Sequence, residues 1–90
     1  MATCVAVLVR ERQGEALRVA AGLTLKADRV EVFVLDRLVA DSPELRLHLD
    51  VLKEIGVRVA TTCADNAGFE VLSNAELARR IAACDVILPY

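Results

Sequence analysis

A chain of 90 residues with net charge −2, 56% hydrophobic residues and only 3% aromatics makes one domain, 1–90, that buries roughly 60–65% of its unfolded surface. Interspersed charge and the shortage of aromatic stacking platforms exclude a nucleic-acid binder, and the longest apolar run, residues 4–9, is far short of the ~20 residues that cross a membrane. Three cysteines, Cys4, Cys63 and Cys84, are odd in number and two lie in apolar runs, which excludes a secreted disulfide scaffold.

The elements follow in chain order. Residues 5–9 are an unbroken apolar run, the pattern of a strand buried on both faces. Arg10, Glu11 and Arg12 follow it directly, without the basic region and cleavage pattern of a signal peptide, so a cytoplasmic location is expected. Residues 15–27 read as a helix with Glu15, Arg18, Gly22 and Lys26 on one narrow polar stripe. Its broad apolar remainder, with Leu17, Val19, Ala20, Leu23 and Leu25, is wider than a sheet alone requires. Together with the positive mean hydropathy, it leads us to expect a homo-oligomer.

Residues 29–35 read as the second strand, which Glu31 places near an edge. Ser42-Pro43-Glu44 begins the second helix, with serine as cap and proline at the first helical position. Leu45, Leu49, Leu52 and Ile55 form its buried face and Gly56 ends it, while Leu47 and Val51 lie opposite. Residues 57–61 are a short β-branched third strand, after which residues 64–72 read as a flexible loop. Ser73 and Glu76 then form a capping box. The third helix runs to about residue 83 with Leu77, Ala78, Ile81 and Ala82 buried, and residues 85–88 make the last strand.

Alternating strands and helices imply an α/β fold, a small open parallel sheet of four strands with helices on both faces. The order 2-1-3-4 is expected. That order reverses its winding between the first and third strands, and open α/β sheets bind ligands beyond the carboxyl ends of strands at such a point. Cys63 and Arg10 flank it. Cys4 and Cys84 fall at the opposite end and are expected to act as small hydrophobes. Cys63 is therefore the cysteine placed for chemistry, with Arg10, Arg12 and Arg37 as the basic residues able to favour its thiolate and hold a substrate. No metal site is expected, because no two cysteines have ligand spacing and the single histidine, His48, sits on an exposed helix. No cofactor is expected either: no glycine-rich phosphate loop follows the first strand.

The succession of residues 16–23, 30–36 and 52–59 leading to Cys63, and then Cys84-Asp85-Val86-Ile87-Leu88-Pro89, resembles the DsrE/DsrF-like family of sulfur-relay proteins over nearly the whole chain. The resemblance implies that the cysteine after the third strand, here Cys63, accepts sulfane sulfur as a persulfide and passes it to a partner sulfur-carrier protein. It further implies assembly into trimers or hexamers. Where relay members carry an arginine-glycine pair soon after the cysteine, this chain has Ala64-Asp65-Asn66-Ala67-Gly68-Phe69. The alternative is a non-catalytic oligomeric binding or scaffold domain of the same fold.

Overall fold

The structure, a computed structural model, describes residues 3–90. The elements are β1 (Cys4–Val9), α1 (Gln13–Leu23), β2 (Arg29–Val34), α2 (Pro43–Glu54), β3 (Arg58–Thr61), β4 (Glu70–Val71), α3 (Asn74–Ala82) and β5 (Val86–Pro89). Every strand pairing is parallel. The α/β class therefore stands, but the sheet has five strands in the order β4-β3-β2-β1-β5 in place of four in the order 2-1-3-4.

Handedness explains the order. Two successive right-handed crossovers that step the same way, β1 to β2 to β3, must lay α1 and α2 on the same face of the sheet. There α1 and α2 pack side by side: Gly14 leaves the space that Leu45 approaches, and Ala16 and Ala20 are completely buried beside Leu45, Leu49 and Leu52. The expected order would have put the two helices on opposite faces. The chain then turns back along the sheet, and a right-handed return places α3 on the other face, over Ala6, Phe33, Leu35, Ala60 and Leu72.

The additional strand, β4, is two residues long and has no period to read. Its register, Ala60↔Glu70 and Thr61↔Val71, aligns it with the end of β3, so from Thr61 to Glu70 the chain steps back by only about one residue rise, roughly 3 Å. A helical crossover is unnecessary over so short a return.

β2 is an interior strand, contrary to the edge position that Glu31 suggested, and its Phe33 is fully buried. Helix ends follow their sequence signals closely. The Ser42 side chain accepts from the Leu45 N–H, Gly56 takes φ +83°, and Ser73 and Glu76 complete a reciprocal capping box. Helix α1 stops at Leu23, earlier than expected, where the Thr24 hydroxyl donates to the Ala21 carbonyl at 2.6 Å and leaves Leu25 exposed. Ile55, at the end of α2, is likewise exposed where burial was expected, and so are Ala78 and Ala82, because α3 covers the sheet mainly through Leu77 and Ile81. No helix among the described residues is long and apolar enough to cross a membrane.

Candidate functional site at the carboxyl edge

Cys63 follows β3 and is half-buried. Its backbone is fixed on both sides: its N–H donates to Thr61 Oγ1 at 3.0 Å, and its carbonyl accepts from the Asn66 N–H at 3.1 Å. Asn66 is buried and uses its whole amide. Nδ2 donates to Thr61 Oγ1 at 2.9 Å and to the Arg37 carbonyl at 3.0 Å, while Oδ1 accepts from the Val39 N–H at 2.8 Å. Gln13 grips the same β2–α2 loop from α1, through the Leu38 carbonyl at 3.0 Å and the Ala40 N–H at 2.9 Å. Asp36, with φ 63°, begins that loop in the left-handed region that aspartate tolerates, and its N–H donates to Thr62 Oγ1 at 3.0 Å. The segment after Cys63, expected to be a flexible loop, is thus tied at its base by a buried asparagine. Polar side chains buried without a partner are absent among the described residues.

The new strand order separates the residues expected to surround the thiol. Arg37 lies on the loop that Asn66 joins to the Cys63 turn. Arg10 and Arg12 follow β1, which β2 separates from β3, about 10 Å across the sheet. The reversal of winding falls between β1 and β5, and the structure has a crevice there. It encloses about 430 Å³ between Leu8, Arg10, Glu11, Arg12, Pro89 and Tyr90. The Arg12 guanidinium stands 5.3 Å from the Tyr90 ring centroid, a cation–π contact, and the backbone closes the corner through Arg12 N–H to Tyr90 carbonyl at 3.0 Å. Cys63 therefore does not flank the switch point; Arg10, Arg12 and Tyr90 do.

At the amino edge the structure assembles a group that linear spacing conceals. Side chains at Cys4, Ala6 and Leu8 point to the α3 face, as do those at Glu31, Phe33 and Leu35, by the alternation of strands. Cys4 and Cys84, 80 positions apart, each direct a thiol at Glu31 Oε2, both at 3.9 Å. Glu31 is buried, and its other oxygen accepts from Arg80 at 2.7 and 3.2 Å. Arg29 approaches Oε2 at 3.4 Å. Arg80 continues to Glu70 at 2.9 Å and lies over the Phe33 ring, 5.4 Å from its centroid. Burial and the neighbouring Cys4 push the Cys84 thiol up to about 12. The hydrogen bond from Arg80, against a smaller desolvation effect, holds the Glu70 carboxyl below the usual glutamate range.

The expected burial of Cys4 holds, whereas Cys84 is half-buried. His48 is half-buried on α2, 3.7 Å from Glu44. Two signals in the sequence pointed to the amino-edge group: an acid inside the strand Arg29–Val34, and an arginine one residue before Ile81 on the α3 face. Their pairing depends on strand order, which local pattern does not carry. No protein-family model, curated protein or solved structure matches this chain.

Proposed function

We propose that the protein is a sulfur carrier in an intracellular persulfide relay, with Cys63 as the acceptor. The observation that carries the reading is the position of Cys63. Of the three free cysteines, it alone sits at the carboxyl edge of the sheet, directly after the third strand and with part of its surface open to solvent. The resemblance to sulfur-relay proteins assigns the acceptor to the same place in the chain.

In the transfer step the Cys63 thiolate attacks the terminal sulfur of a donor persulfide, R–S–SH. The donor S–S bond breaks, R–S⁻ leaves, and Cys63–S–SH forms with no net oxidation. A second thiolate then takes the terminal sulfur and returns Cys63 as its thiolate. Fixed backbone on both sides of Cys63 suits such in-line exchange, because the sulfur keeps one approach direction for donor and acceptor alike. Incubation with a persulfide donor adds about 32 Da to the wild type; Cys63→Ser removes the adduct, whereas Cys4→Ser and Cys84→Ser retain it. Equal labelling of Cys63→Ser would remove this reading.

The crevice between β1 and β5 favours a second reading, a non-catalytic binding or scaffold domain that holds a small anion at Arg10 and Arg12. Under that reading phosphate or sulfate shifts the amide resonances of residues 10–12 and 90, Arg10→Gln with Arg12→Gln removes the shifts, and Cys63 is inert to persulfide. Both readings include assembly into a trimer or hexamer. Leu47, Val51 and Ile55, spaced four apart, leave an apolar stripe on the outside of α2, and β5 presents Val86 and Ile87 on an open sheet edge.

A further inference from the structure

We propose that Cys4, Glu31 and Cys84 form a zinc-binding site at the amino edge of the sheet, on the face opposite α1 and α2. The two sulfurs and Glu31 Oε2 lie within 4.8 Å of one another. A tetrahedral zinc with Zn–S of about 2.3 Å and Zn–O of about 2.1 Å needs donor separations of roughly 3.5–3.8 Å. Both sulfurs already stand 3.9 Å from the carboxylate oxygen, so small rotations of side chains bring the three donors into range. Two thiolates select a soft or borderline ion over magnesium or calcium.

Charge also favours the ion. Zinc with two thiolates and one carboxylate carries −1, and the Arg80 and Arg29 guanidiniums adjoin Glu31 at 2.7 and 3.4 Å. Arg80 occupies Oε1 and acts as the outer partner that orients a ligating carboxylate, while the exposed Arg29 side chain, 3.4 Å from Oε2, swings aside to leave that oxygen to the metal. Two thiol protons leave to solvent on binding. Beside the three donors, Cys4 lines a cavity of about 440 Å³ with Thr3, Asp28, Arg29, Ala83 and Asp85.

The test uses the full chain, chelator-treated and kept reduced, with cobalt(II) as a spectroscopic stand-in for zinc. One equivalent of cobalt produces thiolate-to-metal charge transfer and tetrahedral d–d bands, and one equivalent of zinc bleaches them. Cys63→Ser keeps the full signal. Cys4→Ser or Cys84→Ser loses the charge transfer, and Glu31→Gln weakens binding more than about tenfold, the range that loss of a supporting group already reaches. Circular dichroism identifies any variant that has unfolded, and the wild type with Cys63→Ser decides the matter without the others. Folded, reduced wild type that gives no thiolate band, or a band that depends on Cys63, overturns the proposal. Conversion of Cys4 and Cys84 to a disulfide in air, with no uptake of cobalt by the reduced form, overturns it as well.

Discussion

Asn66 spends its side-chain amide on Thr61, Arg37 and Val39, and so decides the shape of the turn that presents Cys63. Asn66→Ala leaves the Val39 N–H, the Arg37 carbonyl and Thr61 Oγ1 short of partners, at a cost of about 1–3 kcal/mol for a buried group left unpaired. Urea unfolding checks this figure, and the same variant gains protease cleavage in residues 36–41 and 62–69. The three thiols also separate at this scale. Cys4 is buried and burial pushes Cys84 up to about 12, so a neutral alkylating reagent at pH 8 modifies Cys63 first. Peptide mapping that finds Cys84 modified as fast would contradict the environment described for it. The position of Cys63 just beyond the third strand was legible in the sequence because the β-branched strand before it was. Its surroundings were not, since Asn66 and Gln13 look like ordinary polar residues until the loops they join are known.

Arg80 shows why elements are harder to place than to recognise. Helices and most strands follow from local signals such as Ser42-Pro43, Gly56 and the Ser73–Glu76 box, each of which acts within a few residues. Strand order depends on which way each crossover steps. Glu31 pointed to the wrong step because α3, 49 residues later, supplies the charge that lets it be buried. Arg80→Ala strips that cover and costs up to about 3–5 kcal/mol, with Arg29 offsetting part of it. Glu31→Gln combined with Arg80→Met is milder, since no charge remains buried. Acid acts on two carboxylates around the same helix, Glu76 in its first turn and Glu70 in β4. Hydrogen bonds accepted from Ser73 and from Arg80 lower Glu76 and Glu70 respectively. The folded state therefore holds these carboxylates ionised more firmly than the unfolded chain. Their stabilisation is present above the ordinary glutamate value of 4.5 and is lost as pH falls through the lowered folded values. Thermal unfolding midpoints fall on acidification below 4.5, and Glu70→Gln with Glu76→Gln flattens that fall.

Across the whole molecule, the two edges of the sheet divide the chemistry. The carboxyl edge holds Cys63 and, separately, the crevice of Arg10, Arg12 and Tyr90; the amino edge holds the two thiols that converge on Glu31. Small size makes assembly physically useful, because each further apolar surface covered adds what a 90-residue core lacks. Light scattering after gel filtration reports a trimer or hexamer if this holds, and Leu47→Glu with Val51→Glu shifts it toward monomer. A wild-type monomer would mean that the α2 stripe is a tolerated surface. The central claim concerns Cys63, and the most direct measurement is the site of sulfur in the unmodified wild-type chain. After brief exposure to a persulfide donor and trapping with an alkylating reagent, peptide mass mapping finds the added sulfur on Cys63 and leaves Cys4 and Cys84 unlabelled. Sulfur found mainly on Cys4 or Cys84, or on no cysteine, would contradict the account.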